Sequence, residues 1–201
     1  MPIYLHDDDV PDKFKFNDVV AIDCETLGLN PHRDRLCLIQ ISNGDGNAHL
    51  IKIRSEQKNM DSMKKILAPN LCSMLSDRKI TKLFHFARFD VAVLYSKYKV
   101  LASPIFCTKI ASKLVRTYTD KHGLKNLVQE ILDIDISKRQ QSSDWGTENL
   151  SESQKEYAAS DVLHLHKLMS NLEKRLEREK RSDLAKSCFP FLPDRSRLDI
   201  E

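Results

Sequence analysis

Val19-Val20-Ala21-Ile22-Asp23-Cys24-Glu25-Thr26 is the stretch on which the reading of this chain turns. Its apolar opening, rich in β-branched residues, suits a buried strand. The strand then runs into Asp23 and Glu25. In an extended chain residues i and i+2 point to the same face, so these two carboxylates project together. Adjacent anions repel, and one tends to keep its proton unless a counter-charge intervenes. A divalent cation supplies that charge, and an oxygen-only donor set suits Mg²⁺ or Mn²⁺ rather than zinc. A solvated strand end gives the same pattern, so the pair by itself leaves both readings open.

Working outward, residues 36–42 (LCLIQIS) and 48–53 (AHLIKI) read as two further strands. Asn43-Gly44-Asp45-Gly46-Asn47 between them is turn chemistry, which makes a hairpin. Residues 60–75 read as helical, interrupted at Pro69. Residues 80–86 read as a strand that feeds a helix over 89–98, and 105–108 as a short strand before a helix to about Tyr118. Leu124, Leu127, Val128, Ile131 and Leu132 repeat at helical spacing. Residues 137–146 are polar and loop-like. Ser151-Glu152-Ser153-Gln154 fits a capping box, opening one long helix with a core stripe of Ala158, Val162, Leu165, Met169, Leu172 and Leu176. The order of elements predicts an α/β or α+β fold, a mixed sheet flanked by helices. The chain reads as a single domain over 1–201, with its core at about 15–187 and a two-proline, irregular tail over 188–201.

Hydrophobic residues make up 41% of the chain, enough for a core, and no apolar run approaches the roughly 20 residues of a membrane span. The acidic start, Met1 to Asp12, has none of the apolar character of a signal peptide, so the expected compartment is the cytoplasm. A net charge of +3 permits a nucleic-acid partner without demanding one. The five cysteines form no C-x-x-C pair and read as buried, reduced thiols. The seven histidines lack zinc spacing, and His164 and His166 point to different sides of a helix.

Two more acids join the first pair. Asp90 falls in the first turn of a helix just after a strand, a place where the helix dipole already favours an anion. Tyr157 and Asp161 are i and i+4 on one helix face, beside the stripe of Ala158 and Val162. A carboxylate turned inward there is costly unless it is paired or bound to a metal. Each signal is weak singly; the order of all of them is specific.

That order resembles the DEDD superfamily of 3′–5′ exonucleases, and within it the RNase D-like branch with a tyrosine in its third motif. The first motif is Val20 to Thr26 with Gln40 on the next strand, the second runs from His85 to Asp90, and the third is Tyr157-x-x-x-Asp161. Cys107-Thr108, His122-Gly123-Leu124-Lys125-Asn126-Leu127 and Ser143-Asp144-Trp145-Gly146 lie between them as supporting signature, so the likeness spans roughly Val19 to Leu172. The sequence departs from the pattern at Cys107, where the family often has Asp, and at Phe86, where a small or polar residue is usual.

The resemblance implies an RNase H-like sheet and two divalent cations, Mg²⁺ or Mn²⁺, held by Asp23, Glu25, Asp90 and Asp161. It implies that Asp23 bridges both, that Glu25 and Asp161 bind the water-activating one, that Asp90 holds the second, and that Tyr157 orients the attacking water. Thr26, Leu27, Leu29, His85 and Trp145 become expected substrate contacts. Three of these keep a plainer alternative: Leu29 as core, His85 as a satisfied buried histidine, Trp145 as packing. The loop of Lys138, Arg139, Gln140 and Gln141 reads equally as a phosphate contact or a solvated loop. The expected activity is metal-dependent hydrolysis of short single-stranded RNA, dinucleotides included, to nucleoside 5′-monophosphates. Action on DNA, or non-catalytic RNA binding, are the alternatives. Full-length RNase D proteins carry further helical domains; this chain reads as a stand-alone nuclease domain, most similar to the small nano-RNase C type of alphaproteobacteria, which forms rings. A homo-oligomeric ring, an octamer, is therefore expected, with the exposed side of the long C-terminal helix and the tail around Phe189-Pro190-Phe191 as candidate contacts, and a tail folded back on its own domain as the alternative.

Overall fold

The computed structural model describes residues 2–54 and 67–201. Six strands form one mixed sheet: β1 (Ile3–Asp7), β2 (Val19–Thr26), β3 (Leu36–Ser42), β4 (Ala48–Lys52), β5 (Thr81–Phe84) and β6 (Ile105–Cys107). Their order across the sheet is β1-β4-β3-β2-β5-β6. The hairpin β3–β4 and the pair β2–β3 are antiparallel, whereas β5 lies parallel to β2, β6 to β5 and β1 to β4. This is the mixed sheet that the sequence predicts. β1 was not expected: only Ile3 and His6 of its five residues are even partly buried, so it shows no clear alternation.

The alternation along β2 positions the site. Val20, Ile22 and Cys24 enter one core cluster together with Leu71, Met74, Val91 and Leu94. These residues come from α1 (Pro69–Ser76) and α2 (Ala87–Tyr98). Ala21 enters the cluster on the opposite face, so Asp23 and Glu25 face that side too. The face is covered by α3 (Thr108–Val115), α4 (Leu124–Leu132), α5 (Glu152–Leu163) and α6 (Leu165–Arg178). A register shift between Glu25 and Thr26 against β3 ends regular pairing just past the acids.

Several expectations are corrected. Pro69 opens α1 instead of interrupting a helix, because a helix's first turn has no use for the N–H that proline lacks; residues 60–66 of that expected helix lie outside the described residues. The long helix from Ser151 is two helices. Its capping box is present, with the Ser151 hydroxyl accepting from the Gln154 N–H and the Gln154 side chain accepting from the Ser151 N–H, worth roughly 1 kcal/mol. The helix breaks at His164, where φ is −96° and ψ −11°. Before the break α5 lies over β3 and β4; after it α6 packs on α3 and α4. The stripe is re-phased accordingly, and Leu168 is buried in place of Met169, which only packs against the core.

The tail is helical, not irregular. α7 (Ser182–Cys188), a 3₁₀ turn (Phe189–Phe191) and α8 (Leu192–Arg197) follow one another, and Pro190 and Pro193 sit at helix starts. Phe189 packs on Phe106 with ring centroids 4.7 Å apart, and Leu192 is part of the core. All five cysteines are free, Cys188 half-buried and the others buried. Among the described residues no helix is long and apolar enough to cross a membrane.

Candidate active site

β2 and α5 bring three carboxylates together. One oxygen from each of Asp23, Glu25 and Asp161 lies within 4.8 Å of the others. The capped start of α5 fixes the helix phase, and Tyr157 and Asp161, one turn apart, both turn toward β2. Asp90 comes from the other side, in the first turn of α2 and buried. It lies against the Cys24 thiol and within electrostatic reach of Asp23, but outside the three-carboxylate group. The structure thus gathers all four expected acids around the end of β2, with Asp90 set apart from the tight trio.

The electrostatics of this cluster are unfavourable as it stands. Burial pushes Asp23 up to about 7. Burial, then the charges of Asp23, Asp161 and Asp90, push Glu25 up to about 10. Burial and the Asp23 charge raise Asp90 and Asp161 well above the carboxylate range, and the Tyr157 hydroxyl and Lys138 only partly offset this at Asp161. Tyr157 is itself raised, by burial and then by Asp161. No salt bridge is found at these four acids among the described residues. Closely spaced oxygen donors with unrelieved repulsion are a donor set that fits divalent Mg²⁺ or Mn²⁺.

The acids lie in a cleft of about 670 Å³. Leu27 and Leu29 rise on its rim, on the loop after β2, and Leu29 is 84% exposed, which excludes its reading as core. The Thr26 hydroxyl donates to the Gly28 carbonyl and turns that loop. His85 lines the cleft with Nδ1 2.9 Å from the Thr108 hydroxyl, and burial lowers its pKa to about 3, so it is neutral. Trp145 reaches the cleft but is only 3% exposed; its ring packs at 5.9 Å on that of Tyr157. Gln40, opposite Asp23 in the β2–β3 register, is fully buried beside the site.

Some of the cleft wall escaped the sequence reading. Lys109 lies 3.9 Å over the ring of Phe86, and both line the cleft. Phe86 holds a left-handed backbone, φ 71°, that a bulky residue seldom adopts. Gly123, Leu124 and Lys125, at the start of α4, line the same cleft. Lys109 directly follows Cys107-Thr108, and Gly123 to Lys125 belong to the His122-to-Leu127 signature, so the signals were present but had no assigned role.

Comparison with known proteins agrees with this geometry. Residues 9–177 match a family model described as 3′-5′ exonuclease. A solved structure of Brucella melitensis NrnC bound to pGG superposes with a TM-score of 0.90 at 57% identity, covering 100% of this chain and 94% of that one. A structure of the same protein with bound Mg²⁺ gives 0.89 at 56% identity, with the same coverage. A ribonuclease D of Gluconacetobacter diazotrophicus is 32% identical over 185 residues, 92% of this chain. The chain spans only 44% of the length of that relative.

Proposed function

This chain belongs to the 3′–5′ exonuclease family, and we propose that it removes nucleotides one at a time from the 3′ end of short single-stranded RNA. The observation that carries the reading is the trio of Asp23, Glu25 and Asp161, donor atoms within 4.8 Å, at an open cleft with no salt bridge found to relieve them among the described residues. With Asp90, these residues would hold two divalent cations. Such cations, when bound, supply an acidified water and neutralise charge on the phosphate that reacts.

The protein's own groups do the rest. Tyr157, its hydroxyl against Asp161 and its ring backed by Trp145, orients the attacking water. Its raised pKa makes it a hydrogen-bond positioner, not a base, at neutral pH. Leu27 and Leu29 offer apolar surface to the terminal bases, and Thr26 shapes their loop. His85, being neutral, contributes shape and no charge to the wall. Lys109, Lys125 and Lys138 line the cleft with positive charge suited to phosphates. Cleavage on the 3′-oxygen side leaves nucleoside 5′-monophosphates.

Short RNA is favoured because the structure at 57% identity is of a protein bound to pGG and relatives at 32% identity are named ribonuclease D, while one at 31% is named DNA polymerase I. We extend the proposal to a ring of identical subunits, an octamer, working in the cytoplasm. Phe191 and Leu198, both more than half exposed, give the tail apolar surface for such a contact. The test is a time course on a 5′-labelled RNA ladder that includes dinucleotides, with Mg²⁺ and with EDTA. Stepwise shortening from the 3′ end in Mg²⁺ alone is expected; shortening that survives exhaustive chelation would sink the reading.

A further inference from the structure

The segment after α8 returns to the site by a route that the metal-binding motifs do not use. The Asp199 carboxylate takes two hydrogen bonds from the Arg88 guanidinium, 2.6 Å from Nε and 2.7 Å from Nη2. It takes a third from Arg195, at 2.8 Å. Arg88 stands two residues before Asp90 on α2. The Ser196 hydroxyl adds a bond of 3.1 Å to the Arg88 carbonyl. The Asp199 backbone carbonyl faces the other way and lies 3.0 Å from Nε2 of His32. As a carbonyl only accepts, His32 is the donor.

His32 belongs to the loop between β2 and β3, the same loop that carries Leu27 and Leu29 over the cleft. That loop is stiff within itself. The Asp34 carboxylate accepts from the Asn30 N–H at 3.0 Å, the Asn30 carbonyl accepts from the Asp34 N–H at 2.7 Å, and the Asn30 side chain accepts from the His32 N–H at 3.0 Å. A stiff loop moves as one piece, so its position depends on where it is pinned. The bonds that pin it to α2 and the tail are the Ser96 hydroxyl on the Pro31 carbonyl, at 3.1 Å, and His32 on Asp199.

We infer that Asp199 is a positioning residue for the cleft, fixing the loop of Leu27 and Leu29 relative to the helix that carries Asp90. The side chain holds α2 and the main chain of the same residue holds the loop, so Asp199, beside the Ser96–Pro31 bond, ties the apolar rim to the acid floor. The inference rests on the reading of the cleft as the substrate site. A loosened rim binds substrate less well and leaves the acids in place, so the loss falls on KM and spares kcat.

Three variants of the full chain test it on a short 5′-labelled oligoribonucleotide: His32→Ala, His32→Gln and Asp199→Asn. His32 is exposed, so its replacement is not a threat to folding. His32→Ala should raise KM about fivefold, the scale of one hydrogen bond, with kcat within about twofold. His32→Gln, which restores a donor at similar reach, should bring KM back to within about twofold of the parent. Asp199→Asn should raise KM further. Amide hydrogen exchange should speed up over residues 27–35 in His32→Ala and Asp199→Asn while β3 stays protected. Unchanged KM in both variants, with at most a lowered melting temperature, overturns the inference and leaves Asp199 a surface staple. If the parent chain cleaves no oligonucleotide, the proposed function fails, and the exchange experiment alone then decides whether Asp199 holds the loop.

Discussion

Glu25, at the floor of the cleft, and Glu130, on α4, carry the same side chain in opposite settings. Burial and three neighbouring acids push Glu25 up to about 10. The Arg116 guanidinium, with help from the Tyr118 hydroxyl, holds Glu130 down to about 2. Arg116 is itself fully buried, and it also donates to the Ser112 hydroxyl at 3.0 Å and to the Lys121 carbonyl at 2.8 Å. Asp199, between Arg88 and Arg195, is likewise held down, to about 2. Among the described residues these acids are paired with arginine, and at the four acids of the cleft no such pairing is found. Such local conflict opposes stability and is expected to survive where it serves chemistry.

The largest break in this contrast comes from Asp23→Asn. A neutral amide cannot serve the trio as an anionic ligand, so hydrolysis should fall by at least about 10⁴-fold, to background. The same change relieves repulsion, so the metal-free variant should melt no lower than the parent. Turnover and melting curves measured side by side check both halves; an active variant, or one that unfolds, contradicts the account. Tyr157→Phe comes next. It removes the hydroxyl at Asp161 and keeps the ring on Trp145. We expect kcat to drop roughly 10²–10⁴-fold, the scale for a group that positions a proton transfer, with oligonucleotide affinity nearly unchanged. A kcat within a few-fold of the parent would make Tyr157 mere packing.

On the paired side, Arg116→Met should cost about 3 kcal/mol by chemical denaturation, at the low end for breaking a buried pair because Glu130 reaches solvent. Its metal affinity should be intact. A loss below about 0.5 kcal/mol would show the pair to be ornamental. The smallest effect is in pH, and the two regions should pull in opposite directions. Asp23 and Glu25 have folded pKa values above their unfolded ones, so the native state binds more protons between them. Metal-free stability from these groups therefore falls as pH rises from about 4 to about 7 for Asp23, and on toward 10 for Glu25. Glu130 and Asp199 are depressed, so their contribution is present above about 4 and is lost as pH falls toward 2. A melting-temperature profile with EDTA should thus peak in mildly acidic solution, and millimolar Mg²⁺ should flatten only its alkaline limb. A limb that Mg²⁺ leaves unchanged would dissociate the cleft acids from metal binding.

Much of this was legible in the sequence because it depends on short-range rules. β3 is the predicted span to the residue, and β2 begins where expected, since alternation and turn chemistry are local. Asp23 and Glu25 share a face by strand geometry, and Tyr157 and Asp161 by helix geometry. What the sequence did not disclose depends on distant partners. β1 is held by its pairing with β4, which its own five residues do not announce. The break at His164 follows from α5 and α6 lying on different surfaces. The tail misled because Pro190 and Pro193 read as breakers when they are starters. The role of Lys109 and Gly123 in the cleft wall needed the fold, since only packing brings them into the same cleft as the acids.

The strict alternation of β2 bears on how the gene can change. Ile22, Cys24 and Asp23, Glu25 occupy opposite faces of a two-sided buried strand. Point substitutions disturb one side chain at a time. Deleting a single codon between Val19 and Ile22 shifts the pairing register by one and exchanges the faces. The carboxylates would then take the places of Ile22 and Cys24 in the apolar layer beneath α2, and Cys24 and Thr26 would stand in the cleft. A deletion scan across the coding sequence should therefore show a hard lesion over this strand, whereas the loop at Asn43 to Asn47 should tolerate small insertions and deletions.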